Sequence, residues 1–235
     1  MTRDALAAAG FKVGKGTYAR LARYLELLLE ENQKLNLTGV RTPQQAWPLL
    51  ICDSLAPLPL IQEIRPGTLL DLGSGGGIPG VPIACACPAV QVTLLDATRK
   101  KVEAVRRICA ALELANVRCV WGRAELLAHE PRFRERFDAV TVKALARLPI
   151  ALEYATGFVR PGGRCWFFLS CRAAEGDPPA AEPTAQQCAM KLAGVTRYAL
   201  PPPHGERALA TYVKRRRVRP DLPRPPGVAQ RKPLA

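Results

Sequence analysis

The chain has 235 residues, 48% of them hydrophobic, which suits one large α/β domain with a small appendage. A formal net charge of +14 points to an anionic partner, nucleic acid before any other. No run of about 18 apolar residues occurs, and the first ten residues lack the charged and apolar regions of a signal peptide, so neither a membrane span nor secretion is expected and a cytoplasmic location is.

In chain order, Tyr18, Leu21, Leu25, Leu28 and Leu29 recur three and four apart, which predicts an amphipathic helix over residues 17–35 ending near Asn36. The remainder of 1–66 reads as helical or irregular and is expected to form a cap, with Pro57, Pro59 and Pro66 punctuating the approach to the first strand. From Thr68 the pattern becomes regular. Strands are predicted at 68–72, 91–95, 117–121, 137–142 and 163–169, with helices near 80–87, 99–113 and 149–157. Phe158 to Gly163 reads as a turn, and residues 173–187, rich in Ala, Pro and Glu, as a loop or weak helix. Two short strands near 195–200 and 208–214 complete seven as a hairpin. The expected architecture is a Rossmann-like, doubly wound, mostly parallel seven-stranded sheet over 67–213, with an N-terminal helical cap (1–66) and a basic, proline-rich tail (214–235). The tail carries eight basic residues and one acidic, +7, half of the whole excess.

The eight cysteines (Cys52, Cys85, Cys87, Cys109, Cys119, Cys165, Cys171, Cys188) are scattered through apolar patterns, and Cys85-Ala86-Cys87 is not a zinc spacing. With only His129 and His204 besides, no metal site is expected, and the thiols read as small buried residues of a reducing compartment.

The stretch Asp71-Leu72-Gly73-Ser74-Gly75-Gly76-Gly77-Ile78-Pro79-Gly80 carries the chemistry. An apolar strand enters a glycine-rich turn at the place where open α/β sheets bind nucleotides. From Gly75 the residues satisfy the dinucleotide pattern G-x-G-x-x-G; from Asp71 they resemble the acidic-x-Gly-x-Gly-x-Gly motif of S-adenosylmethionine (AdoMet) methyltransferases. Asp71 favours the second reading, because a carboxylate there opposes a pyrophosphate and suits a cationic cofactor. Asp96, ending the second strand, suits the two hydroxyls of a ribose in either case, or caps a helix.

The methyl acceptor is narrowed by elimination. Asp177-Pro178-Pro179 lacks the aromatic residue and the position of an amino-methylation motif and reads as linker; Cys87-Pro88 reverses the order expected of a pyrimidine C5 nucleophile; no Lys-Asp-Lys-Glu set for ribose hydroxyls is legible. What remains is an acceptor needing neither nucleophile nor base, such as guanine N7, or a small molecule.

Over most of its length the chain resembles the bacterial small-subunit ribosomal RNA guanine-N7 methyltransferases, the glucose-inhibited division protein B family. The likeness lies in Asn36-Leu37-Thr38, Asp53-Ser54, Asp71 to Gly80, Leu94-Leu95-Asp96 with Lys100 and Lys101, Arg123-Ala124-Glu125, and the tail segments Pro223 to Gly227 and Arg231 to Leu234. The resemblance implies AdoMet as cofactor, held by Asp71, Gly73, Gly75, Gly77, Ile78, Asp96, Ala124, Glu125 and Lys143, with Lys143 also positioning the acceptor. It implies as substrate one guanine of small-subunit RNA, free or in the assembled subunit; separately, a monomer is expected, and the basic residues Lys214, Arg215, Arg216, Arg217, Arg224, Arg231 and Lys232 are the expected RNA contacts. The chain departs from the family pattern at Leu50, Lys143, Leu169-Ser170 and Ala208, where a histidine, an arginine, a lysine and a histidine are expected. These departures admit two other readings, an acceptor-switched methyltransferase and an RNA-binding module without turnover.

Overall fold

The computed structural model describes residues 1–8 and 10–234. The N-terminal part contains α1 (Arg3–Ala8), α2 (Lys15–Asn32), α3 (Pro43–Ala46), a π-helical stretch Trp47–Cys52, α4 (Asp53–Leu55) and α5 (Leu58–Ile64). The α/β part follows as β1 (Thr68–Leu72), α6 (Gly80–Ala86), β2 (Gln91–Asp96), α7 (Arg99–Ala111), β3 (Val117–Trp121), α8 (Ala124–Leu127), β4 (Phe137–Lys143), α9 (Leu148–Thr156), β5 (Val159–Ser170), α10 (Cys171–Ala180), α11 (Glu182–Gln187), β6 (Met190–Ala199), β7 (Glu206–Lys214) and α12 (Val228–Arg231).

The seven strands form one sheet in the order β3-β2-β1-β4-β5-β7-β6, with β7 antiparallel to both neighbours. The order reverses beside β1, which opens a crevice at the carboxyl ends of β1 and β4. Because side chains alternate along a strand, the sheet feeds two cores. Leu69, Val92, Leu94, Ala139 and Trp166 pack with Leu21, Tyr24, Leu25 and Leu28 of α2 and with α6 and α7. Leu70, Leu72, Leu95, Val140 and Phe167 pack with α9, α11 and the end of the chain. The N-terminal helices therefore share a core with the sheet.

β6 begins at Met190, five residues before the strand expected near 195–200, and two further segments bear on expectation. The turn expected at 158–163 lies within β5: Val159 pairs with Phe137, the register then skips to Arg164 opposite Ala139, and the glycines absorb the bulge. Residues 173–187, expected as loop or weak helix, take the helical alternative as α10 and α11; the Ser170 hydroxyl caps α10 by accepting from the Ala173 amide at 3.2 Å. This places Asp177-Pro178-Pro179 in a helix rather than a linker.

The basic tail is a packed strap. Val218, Leu222 and Ala229 are buried. The Glu135 carboxylate accepts from the Val218 amide at 2.9 Å, Arg134 donates to the Leu222 and Arg219 carbonyls at 2.9 Å each, and the Thr184 hydroxyl donates to the Leu234 carbonyl at 2.6 Å. All eight cysteines are free thiols, five of them buried. No helix among the described residues is long and apolar enough to cross a membrane.

Candidate cofactor cleft and acceptor end

The glycine turn leaves β1 with the Gly73 and Ser74 amides both donating to the Leu95 carbonyl of β2, at 2.8 and 3.0 Å. Gly73 and Gly77 have φ of +77° and +89°, a region that side chains strain to enter. Space also resists a side chain at Gly77, where a Cβ would lie 2.6 Å from Cγ2 of the buried, stiff Val81; at Gly73 a Cβ would meet the movable end of exposed Leu145, so there the backbone angle is the constraint. The N-terminal helices hold the outside of the turn, where the Tyr24 hydroxyl donates to the Gly76 carbonyl at 2.8 Å.

Asp71, expected near the cofactor, sits behind the turn and braces it rather than lining the crevice. Alternation places it on the Leu69 face of β1, where one carboxylate oxygen accepts from the Gly80 amide at 2.8 Å and the other from the Thr141 hydroxyl at 3.2 Å. Burial pushes its carboxyl up to about 7, against the opposing pull of the Gly80 and Thr141 hydrogen bonds.

At the carboxyl ends of β1, β2 and β3 lies a cleft of about 260 Å³, lined by Gly73, Asp96, Lys101, Ala124, Glu125 and Tyr154 among others. Asp96 spans it. One oxygen accepts from the Thr98 amide at 2.8 Å, an Asx turn ahead of α7 whose N-cap is Thr98 itself, and the other from the Gly75 amide at 2.9 Å, which leaves each oxygen a further lone pair. Across it, the Tyr154 hydroxyl is buried beside the Glu125 carboxylate and makes no hydrogen bond of ordinary geometry. Burial first, then the nearby Glu125 carboxylate, pushes that hydroxyl up to about 12, so it remains a donor at neutral pH. An orphaned donor of this kind, next to a carboxylate and a bare glycine turn, fits a nucleoside-bearing ligand.

A second cluster lies at the carboxyl end of β4. The Lys143 ammonium is 2.6 Å from the buried Asp53 carboxylate of α4, donates to the Leu49 carbonyl at 3.2 Å, and stands 5.7 Å from the Phe168 ring centroid. The Tyr198 hydroxyl of β6 donates to the other Asp53 oxygen at 2.6 Å; burial and that carboxylate hold it well above the ordinary tyrosine range. Two of the three ammonium donors of Lys143 are thereby used and one is left.

Of the nine residues expected at the cofactor, the cleft gathers Gly73, Asp96, Ala124 and Glu125. Gly75 meets it through its amide on Asp96. Gly77 and Ile78 face the α6–α7 side, and Lys143 belongs to the second cluster. The expected RNA contacts divide. Lys214 is fully buried, 3.1 Å from Glu135 and hydrogen-bonded to the Thr156 hydroxyl at 2.9 Å; Arg224 grips the buried Glu153. Neither is a free cation. Arg215, Arg216 and Arg217 are exposed but follow β7 at the amino-terminal end of the parallel strands, about 25–30 Å from the cleft at roughly 3.3 Å per residue. Arg231 and Lys232 are exposed next to Gln230, which lines the cleft. Tyr154, Leu145, Gln230 and Tyr198 carried no sequence signal: each is an ordinary core or loop residue until the fold brings it round.

The match to known proteins covers this whole framework. A model of the GidB family, described as rRNA small subunit methyltransferase G, matches residues 17–207. A protein called ribosomal RNA small subunit methyltransferase G from Carboxydothermus hydrogenoformans is 33% identical over 225 residues, 96% of this chain and 95% of that protein. One of the same name from Sorangium cellulosum is 40% identical over 173 residues, 73% of this chain and 72% of that protein. Among solved structures, an O-methyltransferase from Bacillus cereus in complex with SAH is similar with a TM-score of 0.59 at 17% identity, covering 90% of this chain and 96% of that one, a likeness of fold.

Proposed function

The chain belongs to the GidB family, rRNA small subunit methyltransferase G, and on that premise we propose that it methylates N7 of a guanine in small-subunit ribosomal RNA, with AdoMet as donor. The observation that carries the reading is the cleft itself. A glycine turn, the Asp96 carboxylate with unused lone pairs and an orphaned buried tyrosine hydroxyl converge at the switch point of the sheet.

In this reading Asp96 accepts the ribose hydroxyls, the backbone of Gly73 to Gly75 lies along the methionine portion, and Ala124, Glu125 and Tyr154 enclose the adenine. AdoMet supplies an electrophilic methyl group. Guanine N7 carries an in-plane lone pair and no proton, so the protein needs no general base, only position and a dry slot. Lys143 has one N–H left to donate, which suits a carbonyl oxygen such as O6 of the guanine; Asp53, Leu49 and Phe168 fix where it points. The charge expected of the family's arginine is thus retained, tied by two hydrogen bonds rather than a planar fork. The protein acts as a monomer, in the cytoplasm where its RNA is.

Mapping N7-methylguanine in small-subunit RNA by chemical strand cleavage, in cells with and without the gene, tests the proposal. One cleavage site should vanish on deletion and return with the intact gene. An unchanged cleavage pattern rejects it.

A further inference from the structure

Three tryptophans occur, and two of them, Trp47 and Trp166, are buried. The third, Trp121, is 56% exposed at the carboxyl end of edge strand β3, opposite Asp96 in register. It is exposed without being loose. Its indole N–H donates to the Ala97 carbonyl at 3.1 Å, and the Arg99 guanidinium covers one ring face, 5.6 Å from the centroid. The ring is therefore held as a plate in a fixed orientation with much of its surface open to solvent. The surroundings are cationic. Lys100 and Arg123 are exposed and Lys101 is half-buried; of the nearby carboxylates, Glu103 and Glu125 are within ion-pair distance of Arg99 and Arg123, at 2.8 and 3.6 Å, and Asp96 accepts from the Gly75 and Thr98 amides.

A flat aromatic face that needs no reorganisation, ringed by positive charge, matches the two components of single-stranded RNA: bases that stack and phosphates that are anionic. We propose that Trp121 is a stacking platform for an unpaired base of the RNA substrate, flanking the nucleotide that is methylated, with Lys100, Lys101 and Arg123 on the adjoining phosphates. The charge complementarity favours RNA over an apolar protein surface. The site stands next to Gly122–Glu125, which line the cleft, so a strand lying across Trp121 continues toward the cleft mouth. Trp121 is a docking residue and touches no reacting atom. The inference rests on RNA being the substrate.

The test is a titration of the full-length protein with a single-stranded oligoadenylate ten nucleotides long, and with a duplex of the same length. Tryptophan emission and the anisotropy of a labelled oligonucleotide are read together. Stacking should quench the emission with the single strand and much less with the duplex. Trp121→Leu should weaken single-strand binding about five- to hundredfold, the range for one stacked base; Trp121→Phe should recover most of it. In Trp121→Leu the slope of log affinity against log salt should stay as in wild type, because the phosphate contacts persist, whereas Lys100→Ala with Lys101→Ala should flatten it. Oligonucleotide binding with unchanged emission, equal affinity in Trp121→Leu, or no single-strand binding at all overturns the proposal. Methyl transfer to small subunits by the wild type is scored separately. Transfer without stacking overturns only this inference; stacking without transfer overturns only the proposed reaction.

Discussion

Arg224 distinguishes a structural strap from an RNA-binding tail. Its guanidinium meets both oxygens of Glu153 at 2.8 and 2.6 Å, and its own backbone amide donates to the same carboxylate at 2.9 Å. The Glu153 side chain is only 1% exposed. Arg224→Ala would leave a carboxylate in the core with one amide for company, and breaking a buried pair in this way costs about 3–5 kcal/mol. For a chain of this size each kcal/mol lowers the melting temperature by about 2–4 °C, so a fall of roughly 6–20 °C is expected in thermal unfolding followed by circular dichroism. Adding Glu153→Gln removes the stranded charge and should recover a good part of the loss. Arg231→Ala, at an exposed position, should leave the melting temperature where it was. Well below the transition, Arg224→Ala should bind ribosomal RNA with the wild-type salt slope. Unchanged melting together with weakened, less salt-dependent RNA binding would show that the guanidinium faces the RNA and that the strap does not hold.

Asp71 gives a pH signature. Its carboxyl ionises near pH 7 in the fold against an ordinary value of 3.8, so between those values the unfolded chain has lost a proton that the folded one keeps. Folding stability should therefore fall as pH rises through that window, by up to about 1.4 kcal/mol per unit, and level off above it. Asp71→Asn keeps an acceptor for the Gly80 amide and has nothing to ionise; its stability relative to wild type should improve from pH 4 to pH 7 in urea unfolding, with AdoMet binding retained. A constant difference across that range would contradict the assignment. Asp53→Asn loosens the anchor of Lys143. A charge-assisted hydrogen bond contributes about 1.5–3 kcal/mol, so kcat on small subunits should fall about ten- to hundredfold while AdoMet affinity by calorimetry holds; an unaltered kcat would remove Lys143 from the acceptor end.

The fold was legible because the signals that built it are local. Alternating strand and helix patterns place β1 to β4 and β7 within two residues and find β5 and β6 with their first four and five residues missed, and the glycine turn marks the crevice by itself. A local signal misleads where it has two physical outcomes. Pro161-Gly162-Gly163 satisfies both a turn and a β-bulge, and only pairing with β4 chooses the bulge. Asp71 announces a carboxylate at a strand end, but strand alternation decides which face it takes, and a one-residue difference in phase moves it from crevice to core. The positive tail shows the limit most clearly. Lys214 and Arg224 look on paper like any exposed cation in a basic run, and the acids that claim them, Glu135 and Glu153, lie 79 and 71 residues away in sequence. Net charge therefore overstates the RNA-facing surface, because it counts cations already spent on carboxylates. The cations left beside the cleft, Lys101 with Lys100 and Arg231 close by, come from two segments far apart in sequence that only the fold brings together, and Arg123 adds a guanidinium it shares with Glu125 at 3.6 Å. The electrostatic case for an RNA partner is thus carried by position rather than by the total of +14.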